Sequence, residues 1–324
     1  MRVAVVGAGV MGSNHGRILA TIPGVEMTHV VDHDVERATA LAGASGARAV
    51  GSVDEILGQV DAAIIALPTE LHVAAAVPLL RSGVPCLVEK PIATDLAGAR
   101  EILDAAVAGD TTVMIGHVER FNPAVQEMLP LLDDVIHVEA TRMGPFTARV
   151  SDSIVIDLMI HDLDLVRMIA GADPVSTQAV TRQEKGPSPD LAVALIEFAN
   201  GITATITASR LGQQKVRLLE VTQRDSFVSV DLLRTDVLVN RVEHAEYVGE
   251  EGTRYRQRGV VEIPMIQHRG EPLALEQREF FASIREHRPP AVTGEDGARA
   301  LAMALSVLAA GEGRDLEAPE QQGP

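Results

Sequence analysis

Apolar residues in the first third of the chain gather in short, nearly unbroken runs. Arg2 to Val6, Val25 to Val31, Asp61 to Leu67, Pro85 to Glu89 and Thr111 to Gly116 are of this kind, with a shorter one near Ala49. Continuous apolar runs are expected of strands buried on both faces of a parallel sheet. The intervening stretches read as helices. They run from the glycine-rich turn after Val6 through about Thr21, then over Asp34 to Leu41, Val53 to Leu57 (capped by Ser52), Glu70 to Ser82 and Asp95 to Ala108. This alternation predicts a doubly wound α/β domain over residues 1–119.

After Asn122-Pro123 the rhythm changes. A strand at Val135 to Thr141 and a helix at Asp157 to Ala170 are followed by strands with no helix between them. Leu191 to Phe198 and Ile202 to Ser209 flank Asn200-Gly201, a strong hairpin signal. Val216 to Thr222 and Phe227 to Leu232 flank a turn at Arg224-Asp225, and Val237 to Arg241 and Val260 to Met265 complete the set. Two helices follow, Leu273 to Glu286 and Glu295 to Leu308. The pattern predicts an α+β domain over 120–311 with a large, mainly antiparallel open sheet. The acidic, proline-bearing stretch 312–324 is expected to be disordered.

Composition narrows the function. There is no Trp, and only two Tyr and six Phe, so the cores must pack from aliphatic residues and a cage of stacked rings around a ligand is not expected. A net charge of −17 argues against nucleic acid, which needs clustered cations on its phosphates. The single cysteine, Cys86, excludes an intramolecular disulfide and reads as a small buried strand residue, in keeping with a reducing compartment. No apolar run approaches the roughly 20 residues that a membrane helix needs. With the first strand starting at Arg2, no leader is expected, and a cytoplasmic protein without a membrane partner is the reading.

Gly7-Ala8-Gly9-Val10-Met11-Gly12 fits G-x-G-x-x-G between an apolar strand and a helix, the setting that makes the motif informative. Gly7 allows the tight turn, Gly9 lets a pyrophosphate approach the backbone, and Gly12 lets the helix pack against the sheet. The amides of Val10 and Met11 open the helix toward the anion. Asp32, 20 residues after Gly12, can accept hydrogen bonds from both hydroxyls of the adenine ribose and would repel a 2′-phosphate, so NAD is favoured over NADP. Arg37 counts in the other direction. Pro68 and Thr69 end the fourth strand, where ligands sit in open parallel sheets, and His72 follows as a residue of the nicotinamide pocket or a helix-capping or surface residue.

Glu89-Lys90-Pro91 puts Lys90 at the carboxyl edge of the sheet. Only Lys90, Lys185 and Lys215 are lysines in a chain whose Lys and Arg total 28. Where arginine supplies nearly all positive charge, a retained amine suggests proton chemistry rather than a chance surface position. Asp157 and His161, four residues apart, share one face of a predicted helix, and a His beside a carboxylate suits removal of a hydroxyl proton. Asp162 and Asp164 are alternatives as helix-terminal charges. A divalent ion on this acid-rich segment is the rival chemical reading, but no second His or Glu stands at a recognisable ligand spacing, so no metal is assigned.

These elements in this order resemble the Gfo/Idh/MocA family of oxidoreductases, over essentially the whole chain. The resemblance rests on Gly7 to Gly12, Glu89-Lys90-Pro91, Gly116 to Pro123, Asp157 to His161 and Pro290 to Gly297. It implies a Rossmann domain, an α/β domain whose open sheet forms a homodimer or homotetramer interface, and catalytic roles for Lys90, Asp157 and His161. It places Glu89 and Lys90 beside the cofactor. Ser153-Ile154-Val155-Ile156 stands where family members often carry glycines. The Gly116–Pro123 and Ile156–Asp164 segments look most like those members that oxidise the 3-hydroxyl of UDP-N-acetylglucosamine to a ketone. That likeness makes Arg120, Asn122, Arg142 and Arg149 candidates to meet substrate alongside the catalytic three. A free-sugar or inositol dehydrogenase, a reductase of a non-sugar carbonyl or imine, and a non-enzymatic NAD sensor on the same fold are the alternatives.

Overall fold

The computed structural model describes residues 1–147, 152–249, 252–267 and 270–312. The chain forms two compact units, Met1–Gln126 with His268–Ala302, and Glu127–Gln267 with the segment from Met303.

The first unit begins β1 (Arg2–Val6), α1 (Val10–Leu19), β2 (Glu26–Val31), α2 (Val35–Gly43), β3 (Arg48–Val50) and β4 (Ala62–Ile65). It continues with α3 (His72–Arg81), β5 (Cys86–Glu89), α4 (Leu96–Ala108) and β6 (Val113–Gly116), after which α5 (Pro123–Met128) follows. The six strands are parallel in the order β3-β2-β1-β4-β5-β6. Every residue of β4 and β6 is buried, as the apolar runs require. Helix starts follow local chemistry: the Asp34 carboxylate accepts from the amides of Glu36 and Arg37, and that of Asp95 from Gly98. Ser52 caps in the same way, but the segment it caps, Val53–Ile56, is a 3₁₀ turn. Cys86 is fully buried in β5, and desolvation pushes its thiol pKa up.

The second unit contains β7 (Val135–Met143), a π-helical turn at Val155–Met159 and α6 (Ile160–Ala170). Next come β8 (Pro174–Arg182), β9 (Leu191–Phe198), β10 (Thr203–Ser209), β11 (Val216–Gln223), β12 (Ser226–Asp231), β13 (Asp236–Gly249) and β14 (Gly252–Glu262). They form one eight-stranded sheet in the order β14-β13-β12-β11-β7-β10-β9-β8. Only β7 and β10 pair in parallel. Asn200-Gly201 turns β9 into β10, with Gly201 at φ +85°. β8 has no counterpart among the sequence expectations. It is an edge strand on which Ala179 is the one buried aliphatic residue, so alternation is too weak to mark it. The last two strands are longer than their apolar cores, and β14 ends at Glu262 rather than Met265.

Two closing helices, α7 (Pro272–Glu286) and α8 (Gly294–Glu312), complete the chain. Here the expected boundaries differ from the observed grouping. α7 and the start of α8 group with the first unit, not with the remainder of 120–311. The reason is burial: α7 packs on α1 and on the Val118–Phe121 turn, which covers Leu273, Phe280 and Phe281. Thr293 also bridges to Met114 of β6. Of the stretch 312–324, all but Glu312 lies outside the described residues.

Phe280 and Phe281 are fully buried with ring centroids 5.2 Å apart. Phe280→Ala should therefore lower the unfolding free energy by about 3–5 kcal/mol in a urea titration. A loss of only a few tenths would contradict the docking of α7 in the first core.

Candidate active site

The turn between β1 and α1 is built by close approach. Gly7 sits at φ +102°, and a Cβ there would lie 2.4 Å from the carbonyl oxygen of Ala66, just past β4. A Cβ on Gly12 would lie 1.8 Å from the Gly7 oxygen, so the helix can close on the turn only with glycine. A Cβ on Gly9 would meet open space, and Val10 and Met11 at the helix start are exposed. The turn therefore leaves its anion-accepting face clear.

Asp32, immediately after β2, is buried and completes this turn. Its Oδ2 accepts from the Ala8 amide at 2.7 Å, its Oδ1 from the Asp34 amide at 2.9 Å, and His33 Nδ1 lies 3.2 Å from Oδ1. A carboxylate oxygen can accept more than one hydrogen bond, so these contacts fix Asp32 without using up its capacity. A cavity of about 280 Å³ opens beside it, lined by Val6, Val31 and Asp32 at the ends of β1 and β2 and by Leu67, Leu71 and Ala75 across from them. It lies at the carboxyl ends of the strands where the strand order reverses, the position in which such sheets bind nucleotides. Arg37 pairs with Asp34 at 3.0 Å and is not among the cavity residues. The residues present thus fit the adenosine and pyrophosphate of a dinucleotide.

Pro68 and Thr69 open a 3₁₀ turn directly after Leu67. His72 is buried, with Nδ1 3.0 Å from the Pro91 carbonyl and Nε2 2.9 Å from that of Leu67. Held between two backbone segments, it braces the exits of β4 and β5 rather than standing on the surface or capping the helix.

Lys90 is half-buried and follows β5 at the carboxyl edge, between β4 and β6. The neighbouring Glu89 is turned toward the protein: its Oε1 lies 2.8 Å from His15 Nε2 of α1, and Oε2 accepts from the Lys90 amide at 3.3 Å. The other His15 nitrogen lies 2.9 Å from Gln277 Nε2 of α7. A single neutral tautomer satisfies both contacts, with Nε2–H donating to Glu89 and Nδ1 accepting from Gln277. Glu276, beside Gln277, is fully buried, and neither carboxyl oxygen has a hydrogen-bond partner among the described residues. Burial, and then the charge of Glu89, raise its pKa well above the ordinary glutamate range. Sequence reasoning missed His15, Glu276 and Gln277. The available signal was their position: Glu276 and Gln277 stand four residues before Phe280 and Phe281, on the buried face of α7.

Arg120 and Asn122 are both buried in the first unit. Arg120 Nη1 lies 3.4 Å from Asp296 Oδ2 and 3.4 Å from the Ala291 oxygen. Asn122 donates to Glu119 at 3.2 Å and caps α5 by accepting from the Ala124 amide at 3.1 Å. Asp296 in turn accepts from the amide and hydroxyl of Thr293, closing the start of α8. The Gly116–Pro123 and Pro290–Gly297 motifs are therefore joined to each other through Arg120.

In the second unit Asp157 lies inside the π-helical turn and His161 at the start of α6, so the regular α-helical face expected for the pair is interrupted. Such turns are often found at functional sites. Asp157 Oδ2 accepts from Arg210 Nη2 at 2.9 Å, and Arg210 Nη1 donates to the Asp152 carbonyl at 2.6 Å. His161 is half-buried. Arg142 is buried on β7 and forks onto Asp162 with two 2.8 Å bonds, which anchor its guanidinium. Asp164 is buried as well. Arg149 lies outside the described residues.

Residues 1–117 match the model of the Gfo/Idh/MocA oxidoreductase family, NAD-binding Rossmann fold, and residues 96–224 match the Gfo/Idh/MocA C-terminal domain. The UDP-N-acetylglucosamine 3-dehydrogenase of Acidithiobacillus ferrooxidans is 35% identical over 314 residues, covering 96% of this chain and 97% of the relative. Its solved structure superposes with a TM-score of 0.85 at 33% identity, over 96% of this chain and 97% of that one. An inositol 2-dehydrogenase of Cereibacter sphaeroides is 30% identical over 219 residues, 62% of this chain and 65% of the relative. The chain belongs to the Gfo/Idh/MocA family and is an oxidoreductase. Among the described residues no helix is long and apolar enough to cross a membrane.

The buried carboxyl gives a test of the β5 exit. Because the folded pKa of Glu276 is raised, its stabilising protonation is complete below the unfolded glutamate pKa and is lost as pH rises through the elevated value. Unfolding free energy should fall as pH rises above the range in which a free glutamate titrates, and Glu276→Gln should flatten that fall. Superimposable profiles for the two proteins would contradict a neutral Glu276.

Proposed function

We propose that this chain is an NAD-dependent dehydrogenase that oxidises a secondary hydroxyl of a sugar to a ketone, the 3-hydroxyl of a UDP-N-acetylhexosamine. The observation that carries this reading is the full-length likeness to an enzyme of that activity. Retention of Lys90, Asp157 and His161 together supports it, since a cofactor sensor would have no need of all three.

The Gly7–Gly12 turn, Asp32 and the adjoining cavity would hold the dinucleotide, with Pro68 and Thr69 next to that cavity. The nicotinamide supplies the hydride acceptor. Asp32 favours NAD, because a 2′-phosphate beside a buried carboxylate is repelled and Arg37 is engaged by Asp34. The hydroxyl proton is assigned to His161, and such a positioned base contributes roughly 10²–10⁴-fold. Asp157 orients it as a positioning residue and is itself held by Arg210. Lys90 donates a hydrogen bond to the substrate oxygen and stabilises the alkoxide as charge develops. The imidazole takes the hydroxyl proton, and a bound nicotinamide would accept the hydride, so the oxidation balances.

The outer face of the eight-stranded sheet carries exposed aliphatic residues. Val180 of β8 and Val193 of β9 are cross-strand partners, 36% and 38% exposed, and Leu195 on the same side is 48% exposed. Apolar side chains in such a row suit a homo-oligomer interface, so a dimer or tetramer built through this face belongs to the reading. The cytoplasm is its expected compartment.

Lys90→Ala and His161→Ala should each lower turnover on UDP-N-acetylglucosamine by at least about tenfold while the NAD dissociation constant stays near that of the unaltered chain. Full activity in both variants would refute the assignment. Turnover of free sugars or inositols without inhibition by UDP would move the substrate to the polyol class.

A further inference from the structure

In the second unit, Arg142 of β7 and Arg217 of β11 stand directly opposite each other in register. Like charges in that relation cost stability and call for counter-charge. Arg210 follows β10 by one residue, and Lys215 precedes β11 by one, so both lie at the same end of the sheet. These four cations, with Asp157 and Leu158, line a cavity of about 250 Å³ in which Asp157 is the one acidic lining residue among those described. The concentration is unusual for a chain of net charge −17, and Lys215 is one of its three lysines.

The four are not equivalent. Arg142 is anchored by its fork to Asp162, and Arg210 by Asp157 and the Asp152 carbonyl, so both guanidinium charges are fixed in place. Arg217 is half-buried, and Lys215 is exposed, so its side chain can reach a ligand. A mobile ammonium beside fixed guanidinium groups is suited to a phosphate, which accepts hydrogen bonds from several directions.

We infer that this cavity binds the diphosphate of a nucleotide-linked substrate, with Lys215 as its contact and Arg142, Arg210 and Arg217 supplying the positive charge around it. The inference rests on the nucleotide-sugar reading and adds the place where that substrate is gripped. Asp157 belongs both to the cavity wall and to the turn that leads into His161. A diphosphate held here leaves its attached sugar beside the helix that supplies the proposed base. A sugar carboxylate shares the anionic chemistry, but it carries a single charge, and this concentration of cations suits the greater charge of a diphosphate.

The test is calorimetric titration of the full chain, with NADH present, by UDP, UMP, uridine and a hexuronic acid. The unaltered chain should bind UDP more tightly than UMP and UMP more tightly than uridine, with UDP affinity falling as salt rises. Lys215→Ala should weaken UDP roughly tenfold to a hundredfold, leave uridine unchanged and be rescued in part by Lys215→Arg. Arg217→Gln should act in the same direction; Lys215, being exposed, carries the test if that strand variant folds poorly. Equal UDP affinity in the unaltered and Lys215→Ala proteins would overturn the site while leaving the substrate class standing. Lys215-dependent binding of the hexuronic acid without UDP binding would assign the cavity to a carboxylate and overturn the inference. No binding of UDP by the unaltered chain would overturn both this site and the nucleotide-sugar reading.

Discussion

The first unit depends on one close approach, that of the Gly7–Gly12 turn to the ends of β1, β2 and β4. A side chain at Gly7 would strike the Ala66 carbonyl, and one at Gly12 would strike Gly7 itself. The Asp32 carboxylate locks the arrangement by accepting from the Ala8 amide. Together they leave the start of α1 open and set a cavity beside β1 and β2. Steric exclusion in the turn leaves the helix end open to an anion, and the carboxylate at its rim keeps capacity to accept further hydrogen bonds.

The exit of β5 is held by a different kind of contact. Glu89 turns inward to His15, His15 reaches Gln277, and His72 ties Leu67 to Pro91. Lys90 thus follows a strand exit whose surroundings are fixed on several sides. In the second unit Arg210 and Asp157 serve the helix that carries His161. Charged pairs with low exposure cost desolvation and are weak evidence for stability, so their value here lies in fixing direction.

What was legible in the sequence was local. The glycine turn, Asp32, the helix starts at Asp34 and Asp95 and the Asn200-Gly201 hairpin are each dictated by neighbours a few residues away. What was hidden depends on distant partners. His15 and Gln277 are separated by 262 positions, and nothing near either announces the other. Arg120 and Asn122 stood in a recognisable motif, but the motif did not reveal that Asp296, Ala291 and Glu119 occupy them. Arg142 was singled out through the family likeness, whereas its carboxylate partner Asp162 was read as an alternative helix-terminal charge. The membership of α7 in the first unit was concealed in the same way, because chain order suggested a simple division and burial decided otherwise.

The most direct measurement follows a single atom. The chain is incubated with NAD and UDP-N-acetylglucosamine bearing deuterium on carbon 3 of the sugar, and the reduced nicotinamide is analysed by mass spectrometry. The expected result is one deuterium on the nicotinamide ring of NADH together with a ketone on the sugar. Recovery of fully labelled sugar and unreduced NAD, with both compounds demonstrably bound, would contradict the proposed hydride transfer.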